Sequence, residues 1–136
     1  LLILDKQTAK FECGETIQIK INCVAQKDFS DLNFRFEIHH FDNQIVGTML
    51  SSNGVSIVAG EERSVSILME TAHIMPGRYT VDVVAYVKND LGTELLIDGV
   101  YPGFAFEMVE PLEKDFINWN DRYWGHIQLH DLRIKE

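Results

Sequence analysis

Apolar and polar residues alternate along several segments of the chain, with the two-residue period of a half-buried β-strand. The alternation is regular over 16–23 and returns over 31–39, 64–68 and 78–88. One face of each of these strands should therefore be buried. The predicted core comprises Ile17, Ile19, Ile21, Leu32, Phe34, Phe36, Val65, Ile67, Tyr79, Val81 and Val83.

Turn-forming residues separate the alternating segments. Clusters of Gly, Asn, Asp and Pro, such as Ser52-Asn53-Gly54 and Met75-Pro76-Gly77, stand where the strands should end. No segment before residue 110 has a convincing helical period. Many short strands with regularly spaced turns are typical of an all-β sandwich or barrel. We therefore predict a single antiparallel β-sandwich domain over residues 1–136.

The C-terminal part of the chain changes character twice. Residues 111–122 are polar and predict a loop or one helical turn, whereas residues 123–134 regain strand character. A strand that follows a long loop pairs either within its own chain or with a second copy, and strand exchange is an inexpensive route to a dimer. We predict a homodimer in which this last strand pairs with the partner. Its pairing residues would include Tyr123, Trp124, Ile127 and Leu129.

The charge of the chain narrows the class of partner. Twelve Lys and Arg against 21 Asp and Glu give the 136 residues a formal net charge of −9. Nucleic acids and anionic membrane surfaces are recognised by clustered cations, so neither is an expected partner. A neutral, polar ligand such as a sugar suits this surface better. The apolar runs are too short for a membrane-spanning helix, and the start at Leu1 suggests a fragment of a longer chain.

The two cysteines, Cys13 and Cys23, are expected to be reduced. Ten extended residues span roughly 33 Å, whereas a disulfide requires Cα atoms within about 7 Å. Only an intervening turn could bring the two thiols together. The compartment is accordingly cytoplasmic or undetermined.

The histidines and acidic residues predict no metal site and no catalytic centre. His39 and His40 are neighbours on a strand and point to opposite faces. His126 and His130 would be about 13 Å apart on a strand, too far to share one zinc ion. These histidines are expected to be solvated. The acidic pairs stand in turns or polar loops, where carboxylates are normally hydrated rather than arranged as glycosidase acids and bases, and no cofactor is expected.

Two clusters mix aromatic rings with polar groups, as sugar-binding surfaces do. The first comprises Arg35, Glu37 and His39 on one strand, with Asp82 and Tyr86 on another. If these strands are neighbours, the five residues form a polar platform that carries one ring. An ordinary solvated sheet face is the alternative.

The second cluster surrounds Trp119, which stands in a polar loop beside Asn118, Asn120 and Asp121. An exposed indole next to hydrogen-bonding side chains could also stack against a sugar ring. Trp119 is therefore the second candidate for glycan binding.

Five segments in this order resemble a known family: FECGETIQI over 11–19, IVGT over 45–48, PGRYTVDV over 76–83, FAFEM over 104–108 and YWGHI over 123–127. Together they resemble the C-terminal carbohydrate-binding domain of the ATP-binding (Wzt-type) subunits of bacterial ABC transporters that export O-antigen polysaccharide. The likeness extends over nearly the whole chain. It implies an immunoglobulin-like, jelly-roll-like sandwich that dimerises through its C-terminal strand.

The resemblance also implies a function. Such a domain recognises the O-antigen glycan, at its non-reducing terminus, before export. It would follow an upstream nucleotide-binding domain in the parent chain and work with a membrane permease at the cytoplasmic side of the inner membrane. No Gly-x-x-x-x-Gly-Lys loop for ATP is present, so this domain itself is expected to catalyse nothing. A protein-interaction or purely structural sandwich module is the alternative function.

Overall fold

The computed structural model describes residues 2–4, 8–112 and 116–135. Within these ranges the chain forms nine strands and one short helix. They are β1 (Leu2–Leu4), β2 (Thr8–Glu12), β3 (Thr16–Val24), β4 (Phe29–His40), β5 (Ile45–Leu50), β6 (Val55–Ile57), β7 (Glu62–Glu70), β8 (Gly77–Lys88), β9 (Glu94–Val109) and α1 (Asp121–Trp124). In the described part of the chain, no helix has the length and apolar character needed to cross a membrane.

The strands form two sheets that pack face to face. The smaller sheet has the order β1-β3-β7, and the larger has the order β2-β9-β8-β4-β5, with β6 also paired to β4. The pairing is antiparallel except between β2 and β9, which run parallel. The predicted immunoglobulin-like sandwich is therefore confirmed. Because β4 and β8 are central strands of the larger sheet, they hold their outward-facing side chains on a rigid surface.

The core lies between the two sheets. Eight of the eleven predicted core residues are at most 4% exposed: Ile17, Ile21, Leu32, Phe34, Phe36, Tyr79, Val81 and Val83. The other three, Ile19, Val65 and Ile67, pack against the core but are only partly buried. Ile19 pairs with Ile67, and Val65 and Ile67 lie on β7, which is an edge strand. The smaller sheet has only three strands, so its side chains are less completely covered at the edge.

Both cysteines are free thiols, as expected. Cys23 is buried in the core and Cys13 is half-buried. Burial raises the pKa of both thiols, since a thiolate is poorly solvated inside the protein. These thiols are therefore less reactive than a free cysteine.

The predicted strand over 123–134 is not formed within the single chain. Tyr123 and Trp124 belong to α1, where their amides donate to the Asn120 carbonyl oxygen at 3.2 and 2.8 Å. Gly125, with φ of 80°, ends the helix because it adopts a backbone conformation that other residues avoid. Ile127 then forms an isolated antiparallel bridge with Ile74. Residues 128–135 have no regular secondary structure.

Candidate functional site

The outer face of the larger sheet brings together four of the predicted glycan-binding residues. β4 and β8 are neighbours, with Arg35 opposite Val84 and Glu37 opposite Asp82. Since side chains on a strand alternate between faces, Arg35, Glu37, His39 and Asp82 all project from the same side of the sheet. We call these four residues the polar face.

The polar face is held together by paired charges. His39 Nε2 lies 3.3 Å from Asp82 Oδ2, diagonally across the two strands. Arg35 Nη1 donates to Glu94 Oε2 at 2.6 Å, and its Nε lies 3.8 Å from Glu37 Oε2. The Nε group itself is buried and forms no hydrogen bond with described residues. These ion pairs hold the side chains in place. Because the side chains are also partly exposed, their remaining donors and acceptors are open to a ligand.

Tyr86 does not provide the ring of this platform, because it is only 3% exposed. The Arg35–Glu94 ion pair connects β4 to β9 and therefore crosses the intervening strand β8. The Arg35 guanidinium carbon lies 5.6 Å from the centre of the Tyr86 ring, in a cation–π arrangement. Tyr86 thus supports Arg35 from below, and its prediction as an exposed stacking residue is wrong.

Tyr101 supplies an exposed ring on the same face. Residues 101–103 of β9 form a bulge opposite Asp82, between the pairs Val83–Val100 and Val81–Phe104. The ring of Tyr101 lies over Gly99, where a Cβ atom would collide with it, and the side chain is 57% exposed. An exposed ring beside fixed carboxylates and a guanidinium matches the needs of a sugar, whose CH face stacks and whose hydroxyls form hydrogen bonds.

Tyr101 was not among the residues predicted from the sequence, because its position on the outer face depends on the bulge in β9. The signal in the sequence was Tyr101-Pro102-Gly103 in the middle of β9, together with Gly99 two residues earlier. Glycine inside a strand often marks a bulge or the close approach of another group. Here that group is the tyrosine ring.

The second predicted candidate, Trp119, is half-buried. Its indole N–H donates to the Gly125 carbonyl oxygen at 2.7 Å. The ring contacts Trp124 edge to face, with centroids 5.2 Å apart. Trp124 itself is 51% exposed. The two indoles therefore form a small aromatic corner next to α1, with the Trp119 N–H already used within the chain.

The four residues predicted for the dimer strand lie on α1 or in the segment that follows it, and not on the two strands that carry the polar face. Tyr123 and Trp124 are exposed on α1, Ile127 is half-buried against the sandwich, and Leu129 is 79% exposed. They do not form one strand within the chain. Leu129 begins an exposed stretch that also includes Leu132 and Ile134.

A cluster of two histidines and a carboxylate lies at one end of the larger sheet. His40, Asp121 and His126 each offer one ligand atom, and these atoms lie within 4.8 Å of one another. His40 is only 5% exposed, so its prediction as a solvated histidine is wrong. Sequence spacing could not indicate this cluster, because His40 ends β4 and His126 lies far along the chain, beyond β9.

The environment of the cluster shifts two pKa values. Burial lowers the pKa of His126, and the neighbouring His40 lowers it further. A hydrogen bond from the Gln44 amide to Asp42 lowers the pKa of Asp42, and His40 adds to this effect. The imidazole of His126 is therefore favoured in its neutral form and the Asp42 carboxylate in its ionised form.

Several solved structures, including the following two, are similar to this chain in fold. The crystal structure of the C-terminal domain of Wzt superposes with a TM-score of 0.67 at 13% sequence identity, and the match covers 99% of this chain and 80% of that one. A family 123 glycoside hydrolase from Clostridium perfringens, in a study of glycolipid glycan hydrolysis, gives a TM-score of 0.50 at 11% identity. That match covers 78% of this chain but only 23% of the hydrolase. At these identities the likeness shows the fold alone.

The sequence comparisons assign the family. No curated protein matches the chain closely. A model of the Wzt C-terminal domain, however, matches residues 3–117. Because this match includes most of the chain and agrees with the fold, the chain belongs to the Wzt C-terminal domain family, which confirms the resemblance seen in the sequence.

Proposed function

We propose that this domain is a non-catalytic module that binds O-antigen polysaccharide, at its non-reducing terminus, for export by an ABC transporter. The observation that carries the proposal is the exposed ring of Tyr101, which lies on Gly99 beside the polar face. Membership of the Wzt C-terminal domain family supports the carbohydrate-related role and the transporter context.

The chemistry of the polar face suits binding better than hydrolysis. Glycoside hydrolysis requires one carboxyl group to donate a proton to the leaving oxygen. Glu37 and Glu94 lie beside the Arg35 guanidinium, and Asp82 lies beside His39. Paired in this way, the three carboxylates are suited to accept hydrogen bonds from sugar hydroxyls rather than to give up protons.

The expected affinity follows from the shape of the surface. The polar face is open, and hydrogen bonds contribute about 1 kcal/mol each. An acidic protein also gains little long-range attraction to a neutral glycan. We therefore expect dissociation constants on the order of micromolar to millimolar for one terminus. Two sites in a dimer would raise the effective affinity for a polymer.

Titration of the domain with the O-polysaccharide of its own host tests the proposal. Tyr101→Ala should weaken binding about tenfold, equivalent to about 1.4 kcal/mol of lost stacking, with little change in melting temperature because the ring is exposed. Tyr123→Ala is the matched control, since Tyr123 is 74% exposed but lies on α1. If Trp119→Ala abolishes binding while Tyr101→Ala does not, the site lies at the aromatic corner instead.

For the parent protein, we place this domain after a nucleotide-binding domain that acts with a membrane permease. Its location would be cytoplasmic, at the inner membrane through the transporter. Co-purification of the full-length subunit with the permease and the polysaccharide tests this arrangement. A parent chain found outside the cytoplasm would contradict it.

For assembly, we propose a homodimer in which residues 128–135 pair with a second copy. Leu129, Leu132 and Ile134 are 79%, 97% and 90% exposed, which is unusual for three apolar residues on one short segment. A cleft of about 810 Å³ opens between β5 and β7, the edge strands of the two sheets on one side of the sandwich, and its lining includes Met49, Val65 and Ile67. An apolar strand from the partner would cover both the cleft and an exposed strand edge.

The same exposed segment favours a second candidate function, a protein-interaction module without glycan binding. In that case the wild-type domain would bind no polysaccharide from its host, and the segment 128–135 would bind another protein. A glycan titration without signal, combined with a stable complex in which residues 128–135 become protected from proteolysis, would support this alternative.

A further inference from the structure

The C-terminal segment returns to the sandwich next to a loop that leads into β8. The Met75 amide donates to the His126 carbonyl oxygen, and the Gln128 amide donates to the His73 carbonyl oxygen, both at 2.9 Å. Between these bonds, Ile127 pairs with Ile74. The backbone of His126 is therefore fixed by three successive contacts, and its side chain points toward the end of β4.

His40, the last residue of β4, is fixed as tightly. Its amide donates to the Gln44 carbonyl oxygen and its own carbonyl accepts from the Asn43 amide, both at 2.8 Å, so the hairpin between β4 and β5 closes on it. The His40 and His126 rings are nearly parallel, with centroids 3.9 Å apart and an interplanar angle of 19°. Asp121, the first residue of α1, completes the group whose ligand atoms lie within 4.8 Å of one another.

Two buried imidazole nitrogens in this group lack hydrogen bonds. Nδ1 of His40 and Nδ1 of His126 are both shielded from solvent, and neither has a hydrogen-bond partner among the described residues. Asp42 Oδ1 lies 3.0 Å from His40 Nδ1, which is an ion-pair distance without the geometry of a hydrogen bond. His40 Nδ1 therefore has a carboxylate neighbour, whereas His126 Nδ1 has no partner among the described residues, and a buried polar atom without a partner is unusual in a folded protein.

We propose that His40, Asp121 and His126 bind a divalent transition-metal ion of the zinc class, with the Asp42 carboxylate next to His40. Two imidazoles and one or two carboxylates are ligands that zinc accepts. Two carboxylates would also neutralise the charge of the ion. Around a tetrahedral zinc, ligand atoms are about 3.3 Å apart, so the present group must contract. An imidazole binds a metal in its ring plane, so the His126 ring must also turn out of its parallel stack on His40. Asp121 is exposed and His126 half-buried, which leaves their side chains room to turn.

The ion would fasten α1 and the C-terminal segment to the end of the larger sheet. Asp121 and His126 lie at the two ends of the turn that contains α1, whereas His40 belongs to the sandwich. A metal that joins them would fix the point from which residues 128–135 leave the domain. It would therefore act as a structural clip that orients this segment, and it would act independently of glycan binding.

Titration of the chelator-treated chain with Zn²⁺ and Co²⁺ tests the proposal. We expect one ion per chain, visible Co²⁺ absorption bands from nitrogen and oxygen ligands, and a higher melting temperature with Zn²⁺. Hydrogen exchange at the amides of Met75 and Gln128 should slow on metal addition, because these amides hold the fastened segment. A chain that takes up no metal at 100-fold molar excess of Zn²⁺ would overturn the proposal.

Variants separate this site from other histidines. His126→Gln should abolish the Co²⁺ bands and reduce Zn²⁺ affinity at least tenfold, while its backbone contacts keep the fold. His130→Gln is the matched control: His130 lies against His73, with ring centroids 4.9 Å apart, and is not part of the group. Asp121→Asn should weaken binding without affecting the core, since Asp121 is exposed. Loss of the bands in His130→Gln but not in His126→Gln would place the metal elsewhere and overturn the proposal.

Discussion

The ring of Tyr101 lies directly over Gly99, two residues earlier in β9, so that the smallest residue supports an exposed ring beside the polar face. Gly99 pairs with Val84 of β8, whose side chain is fully buried. The ring therefore lies at the level of Val84, two residues from Asp82 on the same face of β8, and a local feature of one strand holds it there. Its position depends on the absence of a side chain at Gly99.

We predict that Gly99→Ala weakens glycan binding severalfold while the domain stays folded. The added methyl group would displace the exposed Tyr101 ring, which can turn toward solvent with little loss of stability. Calorimetric titration with the host polysaccharide, together with thermal unfolding, measures both effects. Gly47→Ala is the control, because a Cβ there has ordinary room, 3.9 Å from the Ile127 side chain. Unchanged binding by Gly99→Ala would show that the Tyr101 ring does not contact the glycan.

Tyr86→Ala should lower stability rather than act on binding alone. The ring is 3% exposed and supports the Arg35 guanidinium, so its removal leaves a cavity beneath an ion pair. Large-to-small changes at buried aromatic positions cost about 3–5 kcal/mol. Urea unfolding measures this loss, and Tyr86→Phe, which keeps the ring, should remain close to wild type. A Tyr86→Ala protein as stable as wild type would contradict the burial of this ring.

Stability should fall at alkaline pH because of Tyr79. This residue is 1% exposed and its hydroxyl donates to the Met75 carbonyl oxygen at 2.6 Å. Burial raises the pKa of Tyr79 well above its usual value, so above pH 10 the unfolded chain releases this proton while the folded chain keeps it. The free energy of unfolding therefore decreases as pH rises beyond about 10. Tyr79→Phe should show a flatter profile between about pH 10 and pH 11.5, and an equally steep profile would contradict this cause.

Deleting residues 128–136 should convert a homodimer into a monomer. This truncation keeps His126 and Ile127, which hold the segment against the sandwich, and removes the exposed apolar residues beyond them. Light scattering after size exclusion reports the mass. Leu132→Ser is the milder variant, with a raised dissociation constant expected because Leu132 is 97% exposed in the single chain. A truncated chain that remains dimeric would place the interface elsewhere.

The sequence by itself determined the strands and most of the core. A strand's period of two is a local property, so the alternation over 16–23, 31–39 and 78–88 identified both the strands and their buried faces. It also placed Arg35, Glu37, His39 and Asp82 on outward faces, although their meeting depended on β4 and β8 being neighbours. The family resemblance came from ordered segments along the chain and needed no contacts.

Tertiary structure alone decided the features that depend on distant partners. By the alternation along β8, Tyr86 should face outward and be exposed. It is buried because Arg35 and Glu94, which are 59 positions apart in the sequence, form an ion pair across it. Tyr101 owes its outward position to a bulge, which shifts the register between β8 and β9; Gly99 and Pro102 mark the interruption in the sequence but not the direction of the ring. His40 and His126 meet only because the C-terminal segment returns to the sandwich through Ile127. Such contacts depend on how distant segments pack together, and they cannot be predicted from periodicity along the sequence.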